Sequence, residues 1–469
     1  MIEIKNLCFT YSDCKKGVQS IDLTISDGEC VVLTGPSGGG KTTLTRLING
    51  LAPNLYPGSL AGSILIDGQP LWELPGWAIG RQIGSVFQDP KSQFFSSELR
   101  GEVAFACENY GLSKSEIRIR TDGAISAFSL NRLQDQSLDV LSSGEKQRVA
   151  IASVYALSPT IYVCDEPASN LDDEGAERLA AALRKLKADG CTLIIAEHRL
   201  SWLSGIADRF IYINHGSIRW ERTAAQMNRI SSEQRRADGL RELIKAEINK
   251  LSAPGGNTAA LCTKNLCCRR KRTEIFVDFN FSLYPGQITA LTGHNGAGKT
   301  SLALTLAGLW RESGGIVEID GARHSAKQRR RRIWYSSNDT GTQFFTNSVT
   351  EELLLNADRS PERIDRARQL LKQLGLYEYK DVHPASLSGG QKQRLSIACG
   401  ILSDRSILIF DEPTSGLDGG NMEIIADVLQ SEAKQKRTIL IITHDMELMR
   451  RCCDCAINMD ADRKYQGPV

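Results

Sequence analysis

The feature that most constrains this chain of 469 residues is an internal repeat. Four short segments occur twice and in the same order along the chain, and the second copy is slightly shorter. The repeated segments are 35–42 and 293–300, 141–148 and 387–394, 164–167 and 410–413, and 196–198 and 442–444. Several motifs repeated in one order indicate a duplicated domain. We therefore expect a first domain at about 1–225 and a second at about 259–469.

The stretch between the copies predicts a helical linker at about 226–258. From Ser231 to Leu251 apolar residues recur at helical spacing, and Pro254 with the glycines after it ends the pattern. The apolar residues on that face are Leu240, Leu243, Ile244, Ile248 and Leu251. Two interpretations are open: the helix packs on the first copy, which we favour, or it spaces the two copies.

Charge and hydropathy exclude several classes of protein. The 57 Lys and Arg residues nearly balance the 55 Asp and Glu residues, so the formal net charge is +2 and we expect no nucleic-acid partner. No apolar run approaches the ~18 residues that cross a bilayer, and Met1–Lys5 carries no signal-peptide pattern. We therefore expect a soluble chain, or one held at a membrane by other proteins.

The first repeated segment has the pattern GxxxxGKT of a phosphate-binding loop. Each copy follows a short apolar run, Val31–Leu33 or Ile288–Leu291, and precedes a stretch with helical spacing. Glycines let backbone N–H groups converge on phosphate oxygens, and a helix N-terminus favours anions. A single match can be a plain glycine-rich turn, but two in the same context predict nucleotide binding. The predicted binding residues are Gly35, Pro36, Ser37, Gly38, Gly39, Gly40, Lys41, Thr42 and Thr43, and Gly293, His294, Asn295, Gly296, Ala297, Gly298, Lys299, Thr300 and Ser301.

Paired acids end two further apolar runs, at Asp165–Glu166 and Asp411–Glu412. Such runs fit strands buried on both faces of a parallel sheet, and ligands bind at the carboxyl ends of these strands. The first acid of each pair can hold Mg²⁺, and the second can orient the attacking water and take its proton. His198 and His444 close two more apolar runs, and we interpret them as contacts to a γ-phosphate.

With these residues the sequence resembles the ATP-binding-cassette ATPases over nearly its whole length. Between each phosphate loop and acid pair lies a stretch similar to that family's signature, complete at Leu387–Gln391 and altered at Leu141–Glu145. The resemblance implies an α/β fold of two tandem P-loop NTPase domains, each with a mainly parallel core sheet, an antiparallel β subdomain and a helical subdomain. It also implies ATP and Mg²⁺ as cofactors and ATP hydrolysis as the activity.

Further site residues follow from the same resemblance. Tyr11 stands where the family stacks an aromatic ring on adenine, and Gln88 matches its Q-loop glutamine. The implied signature residues are Ser142, Ser143, Gly144 and Glu145, and Ser388, Gly389, Gly390 and Gln391. The expected magnesium-binding residues are Thr42, Gln88, Asp165, Thr300 and Asp411. The expected catalytic residues are Glu166, His198, Gln88, Glu412 and His444.

The family pairs its cassettes head to tail, so the resemblance implies two composite ATP sites within this chain. Site one combines the phosphate loop, acid pair and histidine of the first copy with signature 387–391. Site two combines those of the second copy with signature 141–145. Cassettes bound in this way close on the γ-phosphate and separate after hydrolysis, which couples the chemistry to a conformational change.

Site two departs from the family pattern. Arg270 aligns with Tyr11, so the adenine-stacking ring is missing, although a guanidinium plane can also stack. Asn338 aligns with Gln88 and is one methylene shorter, and Glu145 replaces the usual glutamine of the signature. We predict that site one hydrolyses ATP faster and that site two still binds it.

A narrower resemblance, to the energy-coupling-factor importers, lies after Gln88. Gln93–Asn109 and Gln343–Leu353 are similar to a short glutamine-bearing helix of that family, and Glu197–Leu200 is also typical of it. The resemblance implies an ATPase at the cytoplasmic face of the cell membrane. There it would drive a transmembrane coupling protein and a small substrate-capturing membrane protein. The implied cargo is a vitamin, a related micronutrient or a transition-metal ion.

The four phenylalanines of these stretches have two interpretations. They can be core residues, or they can form a surface that receives a helix of a partner, and we favour the surface. The four are Phe94, Phe95, Phe344 and Phe345.

Two other functions compete with this one. A soluble twin-cassette translation factor also lacks membrane spans, but its cassettes are joined by a long, strongly charged helical arm, and the join here is short and mixed in charge. The twin-cassette ATPase of a sugar importer is the other alternative, and Glu102–Asn109 disfavours it.

Overall fold

The computed structural model describes residues 1–13, 16–169, 171–244, 251, 254–256, 258–270, 273–355 and 359–460. The chain divides into two compact units: Met1–Lys245 with Asp418–Gly420, and Ala246–Leu417 with Asn421–Val469. Apart from the three residues 418–420, each unit holds one copy of the repeat.

The first unit contains two sheets. Its strands are β1 (Ile2–Tyr11), β2 (Gly17–Ile25), β3 (Cys30–Thr34), β4 (Gly58–Ile66), β5 (Gln69–Pro70), β6 (Ile83–Val86), β7 (Ile161–Asp165), β8 (Thr192–Ala196), β9 (Arg209–Asn214) and β10 (Ser217–Thr223). One sheet is antiparallel, in the order β2-β1-β4-β5. The other has the order β10-β9-β3-β8-β7-β6, and its strands are parallel apart from the edge strand β10.

Helices cover the larger sheet on both faces. The helices of the first unit are α1 (Lys41–Ile48), α2 (Leu51–Asn54), α3 (Gly76–Gln82), α4 (Leu99–Asn109), α5 (Lys114–Ala127), α6 (Ser143–Ala156), α7 (Asp173–Ala188), α8 (Ala224–Met227) and α9 (Ser232–Ala237). Side chains alternate along β3, so Val31 and Leu33 pack with Leu44 of α1 on one face. Cys30 and Val32 pack with residues of α6 and α7 on the other. This two-sided burial explains the continuous apolar runs of the sequence.

The second unit repeats this plan. Its strands are β11 (Leu261–Arg270), β12 (Thr273–Leu283), β13 (Ile288–Thr292), β14 (Gly314–Ile319), β15 (Ala322–Arg323), β16 (Ile333–Ser336), β17 (Ile407–Asp411), β18 (Thr438–Ile442) and β19 (Cys455–Asn458). An antiparallel sheet has the order β12-β11-β14-β15, and a parallel sheet the order β16-β17-β18-β13-β19. The predicted fold class is confirmed in both copies.

Most helices of the second copy have the same length as their counterparts in the first. The helices of the second copy are α10 (Lys299–Leu306), α11 (Ala326–Arg332), α12 (Val349–Leu353), α13 (Pro361–Gln373), α14 (Gly389–Leu402), α15 (Gly419–Lys434) and α16 (Met446–Cys452). Helix α4 has 11 residues and its counterpart α12 has 5, so the helical subdomains of the two copies differ beside the glutamine-bearing stretch.

The predicted helix over 231–251 is not continuous: it is interrupted within the described residues, and 245–250 lie outside them. Helix α9 ends at Ala237, and Gly239 takes φ +64°, a left-handed conformation that stops a helix. Leu240 and Leu243 still pack on the core of the first unit, whereas Ile244 is exposed. The pattern of apolar residues therefore marked a packed segment that is not helical, and Ile248 lies outside the described residues.

The described ranges contain no helix with both the length and the apolar character needed to span a bilayer.

Candidate active site

In each unit the phosphate loop joins a central strand to a helix, β3 to α1 and β13 to α10. Gly35 (φ +134°) and Gly40 (φ +115°) hold conformations that residues with side chains rarely adopt. A Cβ on Gly35 would also lie 2.1 Å from the carbonyl oxygen of Ile213. The glycines therefore allow the tight backbone curve that aims N–H groups at one point at the start of a helix.

The lysines of the two loops reach back over this curve. Lys41 Nζ donates to the carbonyl oxygens of Gly35 and Pro36, both at 3.0 Å. Lys299 Nζ donates to the two equivalent carbonyls of its own loop at 2.7 and 2.9 Å. Burial lowers the pKa of Lys41, and the negative charge of Glu166 opposes that shift. Each ammonium group is thus held at the cradle that would receive phosphate.

A threonine and an aspartate meet in each unit beside the loop. Thr42 Oγ1 donates to Asp165 Oδ1 at 3.2 Å, and Thr300 Oγ1 donates to Asp411 Oδ2 at 2.8 Å. Burial raises the pKa of both aspartates, and the threonine hydrogen bonds oppose the shift. A hydroxyl and a carboxylate are the oxygen ligands that Mg²⁺ accepts alongside substrate phosphates, so these residues fit the ion.

The two predicted catalytic glutamates share an unusual backbone conformation. Glu166 has φ +45° and Glu412 has φ +50°, a strained region for residues other than glycine. Each N–H donates at 2.8 Å to the last residue of the neighbouring strand, Ala196 in β8 or Ile442 in β18. Such strain persists only where surrounding contacts enforce it, and it concentrates at functional sites.

Two predicted partners contact Glu166. Gln88 Nε2 donates to Glu166 Oε2 at 2.8 Å, and His198 Nε2 lies 3.4 Å from Glu166 Oε1. His198 is only 4% exposed, and burial, followed by the charge of Lys41, holds its pKa well below the usual range. The imidazole is therefore neutral at physiological pH, and its contact with Glu166 is a polar contact rather than an ion pair.

Three carboxylates crowd the end of β7 and β8. Burial, followed by the charges of Glu197 and Asp165, raises the pKa of Glu166 to about 8, although Lys41 opposes the shift. Without nucleotide, Glu166 therefore holds a proton into the neutral range.

This shift predicts a pH-dependent stability. The folded state binds a proton on Glu166 more tightly than the unfolded chain does. The contribution of this proton to the stability of the fold is therefore complete below the ordinary pKa of 4.5 and is lost as pH rises to about 8. Because glutamine never ionises, we expect Glu166→Gln to raise the melting temperature of the nucleotide-free protein by roughly 3–8 °C at pH 9 and by much less at pH 5. Calorimetry across that pH range measures the difference.

An exposed glutamate provides the control for this measurement. Glu108 lies on the surface of α4, so Glu108→Gln should shift the melting temperature by a similar small amount at every pH. A Glu166→Gln difference that stays constant from pH 5 to pH 9 would contradict the assignment of a buried, proton-binding carboxyl.

The second copy arranges the equivalent residues differently. His444 Nε2 lies 3.9 Å from Glu412 Oε1, while the hydroxyl of Thr443 donates to Glu412 Oε2 at 3.3 Å. The hydroxyl of Tyr335, in β16, donates to Asp411 Oδ2 at 3.2 Å. Asn338 lies just after β16, and its carbonyl accepts the N–H of Thr340. Asp411 thus has a donor in Tyr335, and the equivalent position of the first copy is Ser85.

The predicted adenine-stacking position also differs between the copies. The ring of Tyr11 packs edge-on against Phe9 at 4.9 Å, and its hydroxyl accepts from Arg46 at 3.3 Å. In the second copy the guanidinium group of Arg270 lies 3.7 Å above the ring of Trp310. Arg270 therefore forms a cation–π pair with a tryptophan that the sequence analysis did not select.

Both predicted signatures open helices. Ser142 caps α6 by accepting the N–H of Glu145, whose carboxylate accepts the N–H of Ser142 at 2.8 Å. Ser388 and Gln391 make the same reciprocal pair at the start of α14. The free N–H groups of a first turn can bind an anion, as the signatures require.

Two contacts near the site escaped the sequence analysis. Tyr335 reaches Asp411, as described above. In the second loop, the N–H of His294 donates to Asp460 Oδ2 at 2.8 Å, and His294 Nδ1 lies 2.5 Å from Asp460 Oδ1. Glu197, which the sequence analysis named only as part of the stretch Glu197–Leu200, is buried one residue before His198.

The fold and the site define a pair of ATP-binding P-loop domains. The chain matches the ABC transporter family at residues 18–169 and 276–415, which is more than half of its length. This protein belongs to the ABC transporter family of ATP-binding proteins. Its domains are ATPases that bind and hydrolyse ATP.

Several known proteins are similar to it over nearly the whole chain. An ABC transporter ATP-binding protein of Treponema denticola is 40% identical, covering 97% of this chain and 94% of that protein. The protein of Bacillus subtilis named as an HMP/thiamine import ATP-binding protein, YkoD, is 30% identical over 97% of this chain and 89% of its own. In a solved structure of ribosome-bound archaeal Pelota and ABCE1, one chain aligns with a TM-score of 0.68 at 22% identity, covering 96% of this chain and 76% of that one, a likeness of fold alone.

Proposed function

We propose that this protein is the ATP-hydrolysing motor of an importer of the energy-coupling-factor type. It would drive uptake of a vitamin, a related micronutrient or a transition-metal ion through separate membrane subunits. Those subunits are a transmembrane coupling protein and a small substrate-capturing protein, and the motor would sit at the cytoplasmic face of the membrane. The observation that carries the proposal is an apolar groove beside Gln88 in the first copy.

This groove is built from the predicted glutamine-bearing stretch and the helices around it. Its volume is about 300 Å³, and its apolar lining residues include Ile83, Phe95, Phe105, Tyr110, Val154 and Leu157. Phe95 is 76% exposed and stacks on Phe105 with ring centroids 4.8 Å apart. Buried Glu102 fixes the turn by accepting the N–H groups of Phe95 and Ser96, both at 2.8 Å. A helix with an apolar face fits such an aromatic-lined groove.

The groove also lies close to the catalytic residues. Gln93, which lines it, accepts the N–H of Phe87 at 3.2 Å, and the next residue, Gln88, donates to Glu166. A helix seated in the groove would therefore act on the segment that carries Gln88. This link supports a motor whose hydrolysis responds to a partner. The similarity to YkoD, named for thiamine import, supports a vitamin-like cargo.

We further propose that the two cassettes pair head to tail within the chain and that each composite site uses Mg²⁺. The ion would be held by the Thr42–Asp165 pair with Gln88, or by Thr300 with Asp411, and would offset the charge of the phosphates. The helix starts at 142–145 and 388–391 would supply N–H groups to the opposite phosphates.

Glu145 allows a test of this pairing. Its carboxylate puts a negative charge at the helix start that would face the triphosphate of site two. The equivalent residue of site one is Gln391, which is neutral. We expect Glu145→Gln to tighten ATP binding at site two by roughly two- to five-fold, because removal of the charge relieves repulsion at the helix N-terminus. The measurement is equilibrium binding of a nonhydrolysable ATP analogue to a Lys41→Ala chain, in which site one is disabled.

The reciprocal change is the control. Gln391→Glu in a Lys299→Ala chain should weaken binding at site one by a similar factor. The capping pair survives both changes, since the structure shows that glutamate and glutamine each accept the N–H of the capping serine. Unchanged affinity in both chains would argue against head-to-tail pairing.

Affinity purification from detergent-solubilised membranes tests the function as a whole. We expect the tagged chain to recover two small integral membrane proteins, and to bring down radiolabelled thiamine or another micronutrient bound by one of them. Recovery of ribosomes without membrane proteins would instead favour a translation factor, and recovery of large sugar-permease subunits would favour a sugar importer.

A further inference from the structure

Glu197 is a buried carboxylate next to the catalytic residues, and the predicted mechanism gives it no task. It follows β8, comes immediately before His198 and is 2% exposed. Burying a carboxylate is costly unless its oxygens accept hydrogen bonds. The contacts of Glu197 therefore indicate what the group is there to hold.

These contacts hold the turn that follows β8. Glu197 Oε1 accepts the N–H of His198 at 2.8 Å and the N–H of Arg199 at 3.1 Å. One side chain thus holds the turn that carries the histidine, whose imidazole lies 3.4 Å from the carboxylate of Glu166.

We propose that Glu197 is a positioning residue for ATP hydrolysis in the first cassette, where it fixes the His198 turn against Glu166. It does not touch the reacting atoms and acts through the imidazole. The proposal concerns hydrolysis alone and holds whatever cargo the protein serves.

The second cassette performs the same task with different chemistry. Thr443 stands at the equivalent position, and its hydroxyl accepts the N–H of Asp445 at 3.0 Å while it donates to Glu412 at 3.3 Å. A threonine hydroxyl bonds one N–H group of the turn, whereas the Glu197 carboxylate accepts two. The imidazole lies 3.4 Å from the catalytic carboxylate in the first cassette and 3.9 Å in the second. A firmly held turn would favour the faster hydrolysis that we predict for site one.

The test uses the full chain with Glu412→Gln, which leaves hydrolysis to the first cassette. In that background we expect Glu197→Ala to lower kcat roughly 10- to 100-fold with KM for ATP changed by less than about three-fold, because a displaced histidine affects the reaction more than binding. Glu197→Gln should keep at least about half of the activity, since its amide oxygen still accepts the two N–H groups. Hydrogen exchange at the amides of His198 and Arg199 should speed up in the alanine variant and not in the glutamine variant.

Two further variants separate positioning from a general loss of structure. Combined with His198→Ala, the alanine substitution should add almost nothing, because Glu197 acts through the histidine. Glu102→Ala removes another buried carboxylate that accepts two N–H groups, but these belong to the turn of Phe95 and Ser96 and not to that of His198, so its effect should multiply with that of His198→Ala. Full activity of Glu197→Ala, failure of Glu197→Gln to rescue, multiplicative effects with His198→Ala, or an inactive background chain would each overturn the proposal.

Discussion

Replacement of Glu166 by glutamine should reduce ATP turnover of the assembled transporter about 100-fold, whereas Glu412→Gln should leave roughly a third or more of it. Glutamine keeps the size and the hydrogen bonds of glutamate but cannot accept the proton of the attacking water. The two substitutions make the same chemical change at equivalent positions, so each is the matched control for the other.

The expected asymmetry rests on the surroundings of the two glutamates. Glu166 accepts a hydrogen bond from Gln88 and has His198 within 3.4 Å. Glu412 has Asn338 at the glutamine position and its histidine 3.9 Å away. In the second copy, Asp411 also accepts a hydrogen bond from Tyr335, which competes with a bound cation for the same oxygen. Each difference favours hydrolysis at site one.

Steady-state hydrolysis and ATP binding should be measured on the same preparations. Both variants should still bind ATP, because neither change touches a phosphate loop. If Glu412→Gln abolished turnover and Glu166→Gln had little effect, our assignment of the faster site would be wrong. Equal losses of turnover in the two variants would indicate that hydrolysis at the two sites is coupled.

Replacement of Phe95 by aspartate should abolish assembly with the membrane partners, with a loss of affinity of about 30-fold or more. The exposed ring lies at the mouth of the apolar groove, stacked on Phe105, where a charge would be desolvated by an incoming helix. ATP hydrolysis by the chain without its partners should change by less than about two-fold, because Phe95 contacts no residue of the phosphate site. Co-purification and transport assays in vesicles measure the first effect.

Ile119→Asp is the matched control for this experiment. Ile119 is 72% exposed on α5 and is not among the groove residues, so the same change of charge there should leave assembly intact. Phe345→Asp tests the equivalent position of the second copy, where the shorter α12 changes the surroundings of the ring. Normal assembly of the Phe95→Asp chain would remove the main support for the importer proposal.

Much of the fold was predictable because its signals are local. The strands that end in Asp165–Glu166 and Asp411–Glu412 were recognisable as continuous apolar runs, which only two-sided burial explains. The phosphate loops were recognisable because the bonding groups belong to consecutive residues. The predicted helix does not continue through Leu240 and Leu243, because their apolar spacing also occurs in a packed coil and Gly239 was not weighed as a stop signal.

By itself, the sequence determined the duplication, the class of fold, the two phosphate loops and the two acid pairs, since each of these is written in contiguous residues or in a simple period. Only the tertiary structure decided that Tyr335 bonds to Asp411, that Asp460 holds the His294 turn and that the His198 imidazole lies 3.4 Å from Glu166. The physical reason is that the partners in these contacts lie far apart in the sequence. These contacts join residues brought together by strand pairing and by a strained backbone at Glu166 and Glu412, and a hydrogen bond near 3 Å forms only when the whole sheet has set that geometry.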